Sequence, residues 1–154
     1  VSANERELSM KVFIAVSRFN EGVTRKLLDG AMEQLSIRGI DEKSIDVIWV
    51  PGAFELVVAV SRALSTKKYG AAVAIGAVVR GETPHFDFIS NETTRGLGEV
   101  ARETKIPVGF GLLTCDTMEQ ALARAGGAMG NKGAEAAQAA CETAEALNGL
   151  LDDA

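Results

Sequence analysis

A short apolar run, a corner and an amphipathic stretch follow one another four times along this chain, and that repetition limits what it can fold into. KVFIAVS (11 to 17) is too short for a helix and rich in β-branched residues, so it reads as a buried strand. After the corner RFNEG, Val23, Leu27, Leu28, Ala31 and Leu35 recur at helical spacing until Gly39 supplies a stop. IDVIWV (45 to 50) repeats the strand, Pro-Gly breaks it, and a helix is expected from about Ala53 to Thr66. AAVAIGAVV (71 to 79) leads through RGETP into a helix reaching about Lys105. PVGFGLLT (107 to 114) precedes a short helix in TMEQALARAG with Asp116 as its expected N-cap. GNKG then breaks the chain before an Ala-rich helix that ends near Leu150.

Strands alternating with helices, and no hairpin signals, predict a parallel sheet joined by right-handed crossovers with helices on both faces. The expected fold class is α/β, a three-layer α/β/α sandwich with a four-stranded parallel sheet, flavodoxin-like in arrangement. One domain is expected over residues 1–154, with a polar lead-in at 1–10. A chain of 154 residues buries roughly two-thirds of its unfolded surface, enough for a core without staples. Hydrophobic residues make up 47% and aromatics only 5%, so that core is expected to be Val, Ile, Leu and Ala. In AFELVVAVSRAL the apolar residues nearly encircle the helix, which therefore needs cover on more than one side. The second cover is expected to be another subunit; the alternative is the chain's own C-terminal helix.

A net charge of −5 with scattered Lys and Arg argues against nucleic acid as the main partner. Cys115 and Cys141 form no CxxC or zinc spacing and read as reduced, buried thiols of a cytosolic protein. The opening VSANERELSMK lacks the pattern of a secretory signal, and no apolar run approaches the ~18 residues of a membrane span. A cytoplasmic location with no membrane partner is the expectation.

In an open α/β sheet, ligands bind beyond the carboxyl ends of the strands. The unusual corners all fall there: SRFN, PGAFE, VVRGETPH and TCD. Gly81, Glu82 and Thr83 stand just before a helix, where backbone N–H groups can hold an anion such as phosphate, or where the turn is an ordinary β-α connection with a Thr cap. His85, the chain's one histidine, follows Pro84 in the first helical turn and can move protons near neutral pH. Phe19 either stacks on a flat heterocycle or staples onto the next helix. Glu55 either complements its helix dipole or accepts hydrogen bonds from a polyol. Trp49 and Tyr69 read as packing residues.

SRFN, WVPGAFE, GAVVRGETPHFD, FGLLTCD and RAGGAMGNKGAEAA occur in this order over about Lys11 to Leu147. Together they make the chain resemble the 6,7-dimethyl-8-ribityllumazine synthases of riboflavin biosynthesis. The resemblance implies condensation of 5-amino-6-(D-ribitylamino)uracil with 3,4-dihydroxy-2-butanone 4-phosphate, with no metal or redox cofactor. It implies that Phe19 stacks on the pyrimidine, that Ala53, Phe54 and Glu55 hold the ribityl chain, and that Ala77, Val78 and Val79 meet the ring largely through backbone. Glu82 and Thr83 fall on the phosphate-binding positions, Arg124 on the arginine that a neighbouring subunit closes over the phosphate, Phe110 on the neighbour's aromatic and His85 on the proton-transfer histidine.

Two positions depart from the family's pattern. Glu82 stands where a small or neutral residue is common, and Ala128 where a lysine is frequent, which leaves Lys132 with more of the local positive charge. The resemblance further implies pentamers, and the uninterrupted GNKG link resembles the type that assembles twelve pentamers into an icosahedral shell, in some cases enclosing riboflavin synthase. Two rival classes are a flavin or lumazine carrier without turnover and a flavodoxin-like nucleotide-binding module. The second lacks a Walker A or GxGxxG motif after the first strand.

Overall fold

The computed structural model describes residues 10–152. Strands β1 (Val12–Ser17), β2 (Ile45–Val50), β3 (Ala71–Val79) and β4 (Val108–Cys115) form one parallel sheet in the order β2-β1-β3-β4. Helices α1 (Glu21–Ile37), α2 (Leu56–Ser65), α3 (His85–Thr104), α4 (Met118–Ala123) and α5 (Lys132–Asp152) flank it, giving the three-layer α/β/α architecture expected from the alternation. Because side chains alternate across a strand, each central strand feeds two cores. Val12, Ile14 and Val16 of β1 join Val73 and Ile75 of β3 against Leu27 and Leu35 of α1 and Ala137 and Ala140 of α5. Phe13 and Ala15 join Ala72 and Ala74 against Leu56, Val60 and Leu64 of α2 and Leu97 and Val100 of α3.

The small residues of β3 and β4 set how closely the layers approach. Gly109 in β4 lies against the Ala136 carbonyl of α5, and Gly133 in α5 lies against the backbone of Leu27 in α1. A Cβ at either place would strike main chain, which cannot swing aside as a side chain can. On the other face, α2 buries Leu56, Val60 and Leu64 as an i, i+4, i+8 stripe, each contributing about 1.5–3 kcal/mol by removal from water. Its outward side is not covered by α5, which packs on α1 across the sheet. Phe54 and Val58 consequently stay 55% and 66% exposed, so the chain's own C-terminal helix is not the missing cover.

Three local expectations are corrected. The helix expected from Ala53 begins as a 3-10 turn over Ala53–Glu55 and becomes α-helical only at Leu56. The N-cap of α4 is Thr117, not Asp116: Thr117 Oγ1 accepts the Gln120 N–H at 3.1 Å, while the Asp116 carboxylate is drawn away by Arg80. A hairpin is also present, with β5 (Ala125–Gly127) and β6 (Gly130–Asn131) pairing antiparallel through Gly126 and Gly130 at φ of 101° and 81°. Cys115 and Cys141 are buried and unbridged. Among the described residues no helix is long and apolar enough to cross a membrane.

At the amino edge of the sheet the Tyr69 hydroxyl donates to Asp46 Oδ2 at 2.6 Å, and Lys11 Nζ lies 3.7 Å from the same oxygen. That hydrogen bond, with burial second, pushes the Tyr69 phenol up to about 12, and the same bond holds the Asp46 carboxyl below its ordinary value. A raised folded-state pKa contributes stability that is complete below the unfolded phenol's ordinary value near 10 and is lost as pH climbs through about 12. Denaturant unfolding should show wild type about 1 kcal/mol more stable than Tyr69→Phe near pH 8, with the gap closing between about pH 10 and about pH 12. A gap that is constant over that range would mean that the phenol is not so bound.

Candidate active site

The carboxyl ends of β1, β2 and β3 open into a cleft of about 600 Å³. Its first wall is the corner after β1. The Arg18 N–H donates to Val50 O at 2.8 Å, the Phe19 N–H to Pro51 O at 3.0 Å and Thr24 Oγ1 to Ser17 O at 2.8 Å, so the strand-end groups are satisfied and the corner is fixed. Asn20 turns the chain in the left-handed region, at φ 61°, which Asn tolerates better than most residues. Its Nδ2 reaches across to donate to Ala77 O at 2.8 Å, tying this corner to the end of β3. Phe19 stands 65% exposed on the cleft wall, so it is not stapled onto α1.

The second wall is the turn after β2. Glu55 Oε1 accepts the Gly52 N–H at 2.9 Å, which orients the carboxylate at the rim, where its other acceptor positions can receive further donors. Ala53 and Phe54 line the cleft beside it, and Ala77, Val78 and Val79 form its floor. The third wall is the loop after β3 and the start of α3. Gly81, Thr83 and His85 line the cleft, whereas Glu82 is exposed and lies outside the lining. Pro84 is the N-cap and His85 the first residue of α3, its N–H directed at Thr83 Oγ1 at 3.4 Å. The wall is thus a turn of backbone amides at a helix N-terminus with an accessible imidazole beside it, an arrangement able to hold an anion and pass a proton.

Phe110, Arg124 and Lys132 are elsewhere. They line a separate cleft of about 410 Å³ on the β4 side, where Arg124 Nη1 donates to Gln120 O at 3.1 Å. Within one subunit the structure therefore brings together Phe19, Ala53, Phe54, Glu55, Ala77, Val78, Val79, Thr83 and His85, and leaves those three apart. Sequence reasoning put the corner holding Pro51 and Gly52 at the crevice without giving either a role, and it passed over Phe86 and Ile89 as lining residues. Phe86 follows His85 directly and Ile89 stands one turn after it in α3, so their spacing was the available signal. It also passed over the reach of Asn20, for which no signal exists in a single chain.

A family model described as 6,7-dimethyl-8-ribityllumazine synthase matches residues 9–148. A 6,7-dimethyl-8-ribityllumazine synthase of Gemmatimonas aurantiaca is 54% identical over 150 residues, covering 97% of this chain and 92% of that protein. The chain belongs to the 6,7-dimethyl-8-ribityllumazine synthase family. Membership makes it a transferase of riboflavin biosynthesis, forming 6,7-dimethyl-8-ribityllumazine from the ribitylaminouracil and the butanone phosphate. The floor at the end of β3 is aliphatic, and the polar groups of the cleft stand on the loops around it, as in sites where a few placed polar groups orient a ligand held on an apolar surface.

Asn20 gives a test of how the corner is held. Asn20→Asp keeps a side chain suited to the left-handed backbone but turns a donor into an acceptor facing the Ala77 carbonyl. It should destabilise the protein by about 1–3 kcal/mol in denaturant unfolding at neutral pH, more than Asn20→Gly, which loses only the bond. The reverse order would show that the backbone conformation, not the cross-strand bond, fixes the corner.

Proposed function

We propose that the His85 cleft is one half of a composite active site, completed by Phe110, Arg124 and Lys132 of an adjoining copy of the chain. The separation of the two clefts within one subunit supports this reading: the residues suited to an aromatic ring, a ribityl chain and a proton transfer share one cleft, and a cationic pair with an aromatic lines the other. In this assignment Phe19 stacks on the pyrimidine, and Ala53, Phe54 and Glu55 hold the ribityl chain, Glu55 accepting from its hydroxyls. The amides around Gly81, Glu82 and Thr83 hold the phosphate at the start of α3, where the helix dipole favours negative charge. Glu82 contributes main chain only, since its carboxylate faces solvent. Arg124 and Lys132 of the neighbour supply the countercharge, and Phe110 closes on the ring.

The primary amine of the aminouracil attacks the ketone of the butanone phosphate, and loss of water gives an imine. Phosphate leaves by elimination, and the ribityl-bearing amine closes the second ring with loss of water. His85 carries protons between these stages. Positioned acid-base help is worth about 10²- to 10⁴-fold, and co-binding of the two substrates supplies much of the remaining acceleration. His85→Ala should therefore slow lumazine formation by about 10²-fold or more while leaving a measurable residual rate, followed by the product's fluorescence. A wild-type rate in that variant removes His85 from the mechanism.

The assembly that supplies the second half is a pentamer, and the short link through GNKG favours packing of pentamers into a 60-subunit shell. The exposed Phe54 and Val58 beside the groove between α2 and α3 support burial against a neighbour. A cytoplasmic location, and enclosure of riboflavin synthase within the shell, complete the reading. Mixing His85→Ala with Arg124→Ala subunits tests it. In a composite site about a quarter of the interfaces in an evenly mixed ring carry both intact halves, so the mixture should rise well above the residual rate of either parent. No recovery after subunit exchange, or a monomer on sedimentation, would overturn the composite site; a free pentamer would overturn only the shell.

A further inference from the structure

Arg80 is the first residue beyond β3, and its N–H donates to Cys115 O at 2.9 Å as the last rung between β3 and β4. From there the chain crosses residues 81–85, all exposed, before Phe86 is buried again. This bridge carries the amides and the imidazole on which the proposed site depends, and little in its own backbone holds it. The Arg80 side chain turns back over it. Its guanidinium lies 4.5 Å from the centroid of the Phe86 ring, 3.6 Å from Asp87 and, through Nε, donates to Asp116 Oδ1 at 2.9 Å. One planar cation thus grips the two residues that follow His85 and ties them to the loop after β4.

We propose that Arg80 is the positioning residue of the phosphate half of the site: by clamping the first turn of α3 to Asp116 it sets where His85 and the amides of residues 81–83 stand. It also neutralises two carboxylates, Asp87 and Asp116, that would otherwise repel a phosphate dianion at the adjacent turn. A planar fork that stacks on an aromatic while bonding carboxylates in its own plane is a task for Arg, which Lys cannot reproduce. The residues assigned to the pyrimidine and ribityl chain stand on the corners after β1 and β2 and on the end of β3, and the contacts of the Arg80 guanidinium are with Phe86, Asp87 and Asp116 instead, so the clamp bears chiefly on the phosphate half.

The inference rests on the functional reading above, and steady-state kinetics on the assembled wild-type enzyme and its variants separates the two. Arg80→Ala should lower kcat/KM for 3,4-dihydroxy-2-butanone 4-phosphate about tenfold or more, with KM for the aminouracil within about twofold and the melting temperature little changed. Arg80→Lys should fall between wild type and Arg80→Ala. Asp116→Asn should be weaker than Arg80→Ala, and the double variant should lose less than the sum of the two. An unchanged kcat/KM for the butanone phosphate in Arg80→Ala, or strictly additive losses, overturns the positioning role. A rise in both KM values together with a lower melting temperature overturns it too, because that marks general loosening. If wild type itself makes no lumazine, it is the functional reading that falls.

Discussion

β3 is apolar along its whole length and is clamped between two helix layers, and the direction in which every loop of the cleft departs depends on that clamp. Eight of its nine residues are buried and the ninth is half-buried, which leaves the strand no alternative register: a one-residue slip would exchange the side chains of two different cores. The strand therefore delivers Ala77, Val78 and Val79 to a fixed place at the sheet's carboxyl edge. Asn20 then borrows the Ala77 carbonyl to anchor the neighbouring corner. Positional accuracy at the site is inherited from the core rather than built by the loops themselves.

The loops differ in how much of that accuracy they receive. The corner after β1 is held by backbone bonds to Val50 and Pro51 and by two side-chain bonds to carbonyls. The turn after β2 is held by the Glu55 carboxylate on the Gly52 amide. Among the described residues the loop after β3 is held by the Arg80 N–H on Cys115 O, the 3.4 Å contact from the His85 amide to Thr83 Oγ1 and the bonds of its first helical turn, together with the Arg80 side chain. The pairing of Arg80 with Asp116 raises the guanidinium pKa further, so the cation persists at any pH the protein meets. The Arg80 cation at this edge is consequently permanent, and it stands beside the exposed imidazole of His85.

The sheet was legible in the sequence because each strand is a short apolar run bounded by Pro, Gly or charge, and hydrophobic periodicity is a local property. What stayed hidden was set by contacts between distant residues. Asp116 reads as a helix cap until Arg80, 36 residues away, is seen to draw off its carboxylate, and then Thr117 caps instead. The β5–β6 hairpin escapes because five residues rich in Gly carry neither the alternation nor the β-branched content of a strand. The corner PGAFE and the polyol reading of Glu55 came from position at the sheet's carboxyl edge, whereas the cleft-lining role of Ala77 to Val79 came only from family resemblance, since apolar residues at a strand end look like core. The resemblance assigned Phe110 and Arg124 to a neighbour's contribution, but that they share one cleft with Lys132 on the β4 side is a matter of tertiary contacts, which spacing in the chain does not reveal.

The proposed division of the site between subunits changes what the sheet has to accomplish. β4 is an edge strand, with Phe110 37% exposed and Thr114 exposed, and β2 at the other edge is half-buried along most of its length. In a monomer such edges invite indiscriminate pairing. In the assembly proposed here, the residues that an isolated subunit leaves bare are those that a neighbour needs: Phe110 offers an aromatic face, Arg124 and Lys132 offer cations, and Phe54 and Val58 offer apolar area. The hydrophobic cost of exposing them and the chemical cost of an unfinished cleft are removed by the same contact. Under that proposal folding can stop at a subunit that is held together through β3 yet inert, and turnover would begin only when copies meet, so that substrate is not captured by half a site that cannot complete the ring.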